Sequence, residues 1–240
     1  MNNDRYGIKY WDENALEKSK MSSESLYSWH ELILEEILKR KWENEKVLDL
    51  GCGDGRLTNQ LTKIFLGGVA LDFSENMLKV AKKRAEESDH DNLSYICAGA
   101  QKLPFKDNSF DVVVSSELIE HVPGPENVIL EINRVLDNKG QLFLTTPNPY
   151  AIHTYLDKLA GKQDLDKKSY SVHEGKVYDE PISPRLLRTM IENGGFRIIR
   201  RFNGPLPLSI LYKYQLYKKM TIITKADVIG QCQIICAAKT

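Results

Sequence analysis

The chain has 240 residues with 33 basic and 33 acidic side chains, so its formal net charge at pH 7 is zero. Balanced charge offers no overall field to attract a nucleic acid or an anionic membrane surface, and we expect neither as a partner. A chain of this length buries a sizeable core, and a single α/β domain with short additions is the expected organisation.

The amino-terminal residues are polar and mixed in charge, and the sequence has no apolar run long enough to cross a bilayer. A cytoplasmic protein is therefore expected. Four scattered cysteines are too few for a disulfide scaffold in a chain of this size. Cys232 and Cys236 share one face of a predicted strand, which favours core positions over a metal-binding pair.

We assign residues 1–42 to an amino-terminal lid or helical extension and residues 43–240 to the main domain. The first 20 residues carry aromatic side chains among polar neighbours without clear periodicity, and apolar residues at helical spacing then predict a helix from about Leu26 to Arg40. The aromatic residues of this segment are Tyr6, Tyr10 and Trp11. Two hypotheses remain open: a lid that excludes water from a site, or plain packing onto the domain.

A strand at Val47–Leu50 runs directly into Gly51, Gly53 and Gly55, and a new apolar stripe at helical spacing follows. A loop of this kind can approach a ligand closely, since glycine adopts positive φ and the helix start presents free N–H groups. A dinucleotide site has the pattern G-x-G-x-x-G, which would require glycine in place of Arg56. Asp49 would also repel a pyrophosphate and favour a cationic ligand.

The run from Asp49 to Gly55 matches the D-x-G-x-G-x-G motif and resembles class I, Rossmann-like S-adenosylmethionine-dependent methyltransferases of the small-molecule kind. The resemblance implies that S-adenosylmethionine is the cofactor, that the loop Gly51, Cys52, Gly53 and Gly55 approaches its methionine part, and that Asp49 organises the site for its amino group. A glycine-rich turn without a ligand is the alternative.

A second predicted strand, Gly68–Ser74, contains a carboxylate 21 positions after Gly51. At the end of the second strand of a βαβ unit, two acceptor oxygens can bind both hydroxyls of a ribose, so Asp72 resembles the ribose-binding acid of the family. Phe73 is then expected to pack on the adenine, and the resemblance adds Met77 to the cofactor site. A helix-capping aspartate is the rival hypothesis, although Ser74 already supplies a cap for a helix from Glu75 to Glu87.

A third strand, Asn92–Cys97, is followed by a run that departs from the family. Many members have Asp-Ala-Glu-x-Leu-Pro-Phe here, and its aspartate meets the adenine amino group, whereas this chain has Gly99 and Gln101 in the acidic positions. Adenine contact is then expected from backbone groups near Ala100 or from the Gln101 amide.

A fourth strand, Ser109–Ser116, is predicted to be buried and to end beside the chemistry, because ligands of open parallel sheets lie at the carboxyl ends of strands. We place Ser116 in the cofactor site. The candidate bases are Glu117, Glu120, His121 and, from a later segment, His173. His121 is the first choice because the ordinary pKa of histidine lies near physiological pH, while a histidine that only orients a loop is equally consistent.

The remaining pattern predicts a helix from Pro125 to about Leu136, a turn at Asn138–Gly140, and three further strands. These strands are Gln141–Thr146, Phe196–Arg201 and Gln231–Ala238, with a helix from Ser183 to Gly194 before the second and inserts near 150–180 and 205–223. Alternating strands and helices predict an α/β fold with a doubly wound sheet and helices on both faces. The family analogue has seven strands, mostly parallel, with the last antiparallel.

The predicted function is S-adenosylmethionine-dependent transfer of a methyl group to a small-molecule acceptor, with O-, N- and C-methylation unresolved. One alternative is a metal-assisted O-methyltransferase that uses Glu117, Glu120 and His121, because carboxylate and imidazole groups can bind a divalent cation. A second is a protein that binds the cofactor without catalysis. A nicotinamide enzyme is a third, and a monomer or homodimer is expected in each case.

Overall fold

The computed structural model describes residues 8–20, 26–88, 92–151, 180–204 and 232–240. Within them a seven-stranded sheet is flanked by helices on both faces. The strands are β1 (Lys46–Leu50), β2 (Gly67–Asp72), β3 (Leu93–Cys97), β4 (Phe110–Ser116), β5 (Leu136–Pro147), β6 (Phe196–Asn203) and β7 (Cys232–Lys239). The helices are α1 (Ile8–Ser19), α2 (Ser28–Ile37), α3 (Arg56–Leu61), α4 (Glu75–Glu87), α5 (Pro125–Val135), α6 (Pro184–Asn193) and a 3-10 turn at Ile119–His121.

The strand order is β3-β2-β1-β4-β5-β7-β6. Strand β1 pairs in parallel with β2 on one side and β4 on the other, so the order reverses between β1 and β4. Crevices at the carboxyl ends of strands beside such a reversal are where open α/β sheets bind ligands. Strand β7 is antiparallel to both β5 and β6, which confirms the predicted antiparallel last strand.

Strand β4 explains the arrangement of the core. Val113 faces the cluster that contains α5 and α6, whereas Val112 and Val114 face the cluster that contains α2 and α3. Because successive side chains of a strand point to opposite faces, a strand buried on both sides needs apolar residues at every position. The continuous apolar run of β4 is therefore a consequence of helices on both faces.

Helix starts follow the predicted capping chemistry. The Ser74 side chain accepts a hydrogen bond from the N–H of Met77 at 3.1 Å, and α4 spans Glu75–Glu87 as predicted. The Ser183 side chain accepts from the N–H of Leu186 at 3.2 Å, with Pro184 in the first helical position. Both serines satisfy N–H groups that a helix start leaves without intrahelical partners.

The segment without clear periodicity contains a helix, α1, over residues 8–19. Of the described apolar side chains of this helix, Ala15 is 3% exposed and Leu16 is 70% exposed, which explains why the sequence shows no apolar stripe. One local prediction needs correction. The predicted turn at Asn138–Gly140 lies within β5, where the pairing of β4 and β5 shifts register. Both inserts fall largely outside the described residues, and among those described we find no helix long and apolar enough to cross a membrane.

Candidate active site

The glycine loop follows β1 and is tied to the end of β2. The N–H groups of Gly51 and Cys52 both donate to the Leu71 carbonyl, at 2.8 and 3.0 Å. Gly51, Gly53 and Gly55 have φ values of 77°, 53° and 80°, which glycine adopts without the steric penalty of a side chain. The loop is thus held at the point where the strand order reverses.

The three glycines are required for different reasons. A Cβ at Gly55 would lie 2.6 Å from the Cβ of Ala81, so this glycine lets α4 approach. A Cβ at Gly51 would lie 2.9 Å from the Leu118 side chain, which brings the segment after β4 against the loop. A Cβ at Gly53 would meet nothing within 4 Å, so Gly53 faces open space that a ligand can occupy.

Asp72 lies beside this open space at the end of β2. Its Oδ2 accepts the N–H of Gly53 and its Oδ1 accepts the N–H of Ser74, both at 2.9 Å. Burial raises the pKa of Asp72 to about 6, against the lowering effect of these N–H groups and with a smaller contribution from Asp12. Each carboxylate oxygen keeps further acceptor capacity, so the group fits a vicinal diol such as a ribose.

Asp49 is 1% exposed and accepts a hydrogen bond from the Thr58 hydroxyl at 2.6 Å. Burial raises its pKa to about 7, Thr58 lowers it and the charge of Asp72 raises it further. The same burial, together with both aspartates, keeps the pKa of the Cys52 thiol well above its ordinary value, so this thiol is uncharged. Two buried carboxylates close to the glycine loop, of which Asp72 borders the open space at Gly53, favour a cationic ligand.

The predicted adenine-side residues lie around the end of β2. The Ala98 N–H donates to the Asp72 carbonyl at 3.0 Å and joins the segment after β3 to this site. Phe73 and Gln101 are half-buried, whereas Ala100 and Met77 are buried, at 7% and 3% exposure. Their roles toward the cofactor stay predictions.

The chain turns sharply where β4 ends. Glu117 has a φ of 53°, a left-handed conformation that costs about 1–3 kcal/mol for a residue with a side chain. Its N–H donates to the Thr145 carbonyl at 3.1 Å, and the hydroxyls of Ser116 and Thr145 are 3.0 Å apart. Strain held in place at a sheet's ligand-binding edge is an observation from which a functional role can be inferred.

Glu120 and His121 occupy different environments. Glu120 is 1% exposed, and its Oε2 accepts the Thr146 hydroxyl at 2.9 Å. Its backbone carbonyl accepts the N–H of Glu180 at 2.9 Å, and its Oε1 lies 3.8 Å from the Nε2 of His121. Glu120 therefore lies beneath His121 as a buried neighbour rather than beside it as a second open base.

The metal alternative gains no support from these residues. Across residues 8–20, 26–88, 92–151, 180–204 and 232–240 there is no group of three histidine, cysteine or acidic side chains arranged to hold a metal. Glu117, Glu120 and His121 therefore do not form the predicted cation cluster. His173, the further candidate, lies outside the described residues.

Helix α1 contacts both halves of the site. The rings of Trp11 and His121 are 5.5 Å apart at an interplanar angle of 68°. Asp12 accepts the Ser74 hydroxyl at 2.5 Å and the N–H of Asn76 at 3.4 Å, next to Asp72. The sequence left the role of the aromatic residues of this segment open and missed Asp12 and Thr58, because neither belongs to a motif and both depend on tertiary contacts.

Comparison with known proteins places this geometry in a family. Residues 48–144 match the model of a methyltransferase domain. A demethylmenaquinone methyltransferase of Listeria monocytogenes is 34% identical over 208 residues, which cover 80% of this chain and 87% of that protein. A ubiquinone biosynthesis O-methyltransferase of Coxiella burnetii is 31% identical over 158 residues and 65% of either chain. This chain thus spans less than two thirds of the Coxiella protein.

The fold also matches a solved structure. A methyltransferase of Aquifex aeolicus, described as dependent on S-adenosylmethionine, superposes with a TM-score of 0.58 at 19% identity. The match covers 88% of this chain and 89% of the Aquifex chain. At this level of identity the similarity concerns the fold alone.

Proposed function

We propose that this chain, which belongs to the S-adenosylmethionine-dependent methyltransferases, transfers a methyl group from that cofactor to a small-molecule acceptor. The observation that carries the proposal is the open space at Gly53, whose N–H is bonded to a diol-compatible carboxylate, Asp72. When bound, S-adenosylmethionine supplies a methyl group on a positively charged sulfur, and the methyl–sulfur bond breaks as the acceptor bonds to the methyl carbon.

The residues around the glycine loop fit this cofactor. In the proposal Asp72 binds the ribose hydroxyls, and Asp49 provides negative charge near the methionine amino group. Gly53 lets the ligand approach the backbone, Gly51 leaves room for the Leu118 side chain, and Gly55 keeps α4 close. The missing family aspartate at Gly99 leaves adenine recognition to main-chain groups near Ala100 and to Gln101.

The acceptor side follows from the segment after β4. Leu118 against Gly51 brings this segment next to the loop, and Trp11 packs edge-on against His121. Holding an acceptor in line with the methyl–sulfur bond supplies most of the acceleration, and a base is needed only when the acceptor must lose a proton. His121 is the proposed base, and the buried Glu120 Oε1 lies 3.8 Å from its Nε2.

The names of the relatives suggest which acceptors to test. The Coxiella protein is named for O-methylation in ubiquinone biosynthesis and the Listeria protein for methylation of demethylmenaquinone. We therefore propose that the acceptor is a small aromatic compound with an acidic hydroxyl or an activated ring carbon, rather than a nucleic acid. Neutral overall charge supports the same choice.

The test combines binding and turnover. Calorimetry with S-adenosylmethionine and S-adenosylhomocysteine measures the cofactor site, and mass spectrometry of a phenol and a demethylated menaquinol detects methyl transfer. A methylated product in either arm supports the proposal. Absence of binding contradicts it, and tight binding without product across a broad acceptor panel favours a protein that binds the cofactor without catalysis.

A further inference from the structure

Asp54, between the second and third glycines of the loop, is paired with two arginines. The Nε of Arg56 lies 3.0 Å from Asp54 Oδ2, and the Nη2 of Arg84 lies 3.4 Å from the same oxygen. Arg56 is 2% exposed and Arg84 is 4% exposed, so water screens neither pair strongly. Two buried cations on one loop carboxylate restrict how this loop can move.

Each arginine also reaches the amino-terminal segment. Arg56 Nη2 donates to the hydroxyl of Tyr27 at 2.9 Å, and its guanidinium lies 4.3 Å from the centre of the Tyr27 ring. Arg84 Nη2 donates to the backbone carbonyl of Lys18 at 2.6 Å. The Lys18 ammonium in turn donates to the Tyr27 hydroxyl at 2.9 Å. These contacts close a ring of five residues, which we call the loop network: Lys18, Tyr27, Asp54, Arg56 and Arg84.

Tyr27 is the uncharged member of the loop network, and its hydroxyl is bonded to both Lys18 and Arg56. Burial alone would raise the pKa of Tyr27, but the hydrogen bonds and charges of Lys18 and Arg56 outweigh it and lower that pKa. These two donors belong to different elements: Lys18 lies in α1, and Arg56 is the first residue of α3. Its ring is stacked on Trp29 at 4.5 Å and 11°, which fixes it at the start of α2.

Polar contacts, rather than an apolar face, hold α1. Toward one end Asp12 accepts from Ser74, and toward the other the Lys18 carbonyl accepts from Arg84. Between them Ala15 is the deeply buried apolar side chain among those described for this helix. A helix with little apolar burial opens locally more easily than the core, so its position depends on these contacts.

We infer that Tyr27 and Arg56 are positioning residues for the cofactor, an inference that rests on the proposed function. They join the glycine loop to both amino-terminal helices, so that α1 stays seated with Asp12 beside Asp72 and Trp11 on His121. Arg56 occupies the position at which a dinucleotide loop requires glycine. In this chain the arginine at that position binds Tyr27 of the amino-terminal segment.

The test uses Tyr27→Phe, which removes the hydroxyl and keeps the ring on Trp29 and beneath Arg56. The matched control is Tyr150→Phe, because the side chain of Tyr150 is 61% exposed and follows β5. Trypsin reports local opening of α1 through cleavage after Lys9 and Lys18, and calorimetry with S-adenosylhomocysteine reports the cofactor site. Thermal unfolding of each variant is followed in parallel.

In Tyr27→Phe we expect faster cleavage after Lys18 without ligand and about five- to tenfold weaker binding of S-adenosylhomocysteine, since two charge-assisted hydrogen bonds are lost. Tyr150→Phe should match the wild type in both measurements. A Tyr27→Phe protein whose melting temperature falls while its cleavage rate and affinity equal those of the wild type would overturn the inference, because Tyr27 would then act on stability alone.

Asp12→Asn provides the second arm. If Tyr27 acts through α1, the effects of Tyr27→Phe and Asp12→Asn on affinity are less than additive, since either one releases the same helix. Fully additive effects would contradict this route. Failure of the wild type to bind S-adenosylhomocysteine would contradict the proposed function instead, and the ligand-free cleavage of Tyr27→Phe would still decide whether the loop network holds α1.

Discussion

The indole of Trp11 lies edge-on to the imidazole of His121, with 5.5 Å between the ring centres. One residue belongs to the first described helix and the other to the turn after β4, so this contact places α1 against the segment that follows β4. The glycine loop and the buried Glu120 lie at the same edge of the sheet.

His121→Asn tests the proposed base. For an acceptor that loses a proton, removal of a general base lowers kcat by about 10²- to 10⁴-fold, whereas the affinity for S-adenosylhomocysteine should stay within about twofold of wild type. Steady-state kinetics with the acceptor found in the turnover assay and calorimetry measure the two quantities. Equal kcat in variant and wild type would leave His121 with an orienting role only.

Asp72→Ala tests the ribose site. We expect the free energy of cofactor binding to weaken by about 1–3 kcal/mol, the usual contribution of hydrogen bonds that involve a charged group. Asp107→Ala is the control, because the Asp107 side chain is 71% exposed and pairs with Arg134 far from the loop in sequence. A dissociation constant equal to that of the wild type would contradict the proposed binding of the ribose by Asp72.

Gly53→Ala and Gly55→Ala form a matched pair with opposite expectations. Both residues have positive φ, so alanine costs about 1–2 kcal/mol of backbone strain at either position. At Gly53 the new methyl group enters open space and should impair cofactor binding more than folding. At Gly55 it meets the backbone of α4 at Ala81 and should lower the melting temperature much further. Equal losses of stability in both variants would contradict the open space at Gly53.

The pH dependence of stability should report Asp49. Its pKa is raised to about 7 in the folded protein, so folding favours the protonated carboxyl, and this contribution to stability is present at low pH and lost as pH rises through 7. Cofactor affinity should change the other way, because a cation prefers the ionised carboxylate. Between pH 5 and 8, Asp49→Asn should therefore flatten the change in melting temperature and weaken affinity most at pH 8. Parallel wild-type and variant stability curves would argue against a raised pKa.

Residues within a contiguous motif were predictable from the sequence. The spacing of Asp49 and the three glycines predicts the loop. The Ser74 helix cap follows from local capping preferences, and the buried strand β4 follows from its continuous apolar run. The prediction of a seven-stranded, doubly wound sheet with an antiparallel last strand is confirmed. The loop and the Ser74 cap were predictable because the residues that define them lie close together in the chain, whereas the seven strands with an antiparallel last strand were implied by the family resemblance.

Other features depend on contacts between distant parts of the chain. Helix α1 escaped prediction because Asp12 and Lys18 hold it through polar partners, which leave no apolar period in its sequence. The inward position of Glu120 is set by Thr146 on a neighbouring strand, so a motif that reads Glu-x-x-Glu-His could not separate a buried carboxylate from an exposed one. The need for glycine at Gly55 likewise depends on how closely α4 approaches the loop, whereas Gly53 faces open space, and the sequence does not show this difference.

The antiparallel strand β7 has a consequence for synthesis of the protein. It fills the place between β5 and β6, and its Gln233 side chain donates to the carbonyls of Pro147 and Ile182. On the ribosome β6 has no described strand to join until residues 232–239 have been made. The nascent chain must therefore keep the edges of β5 and β6 from pairing with other chains during that interval, and sheet closure is expected as a late, non-local folding step.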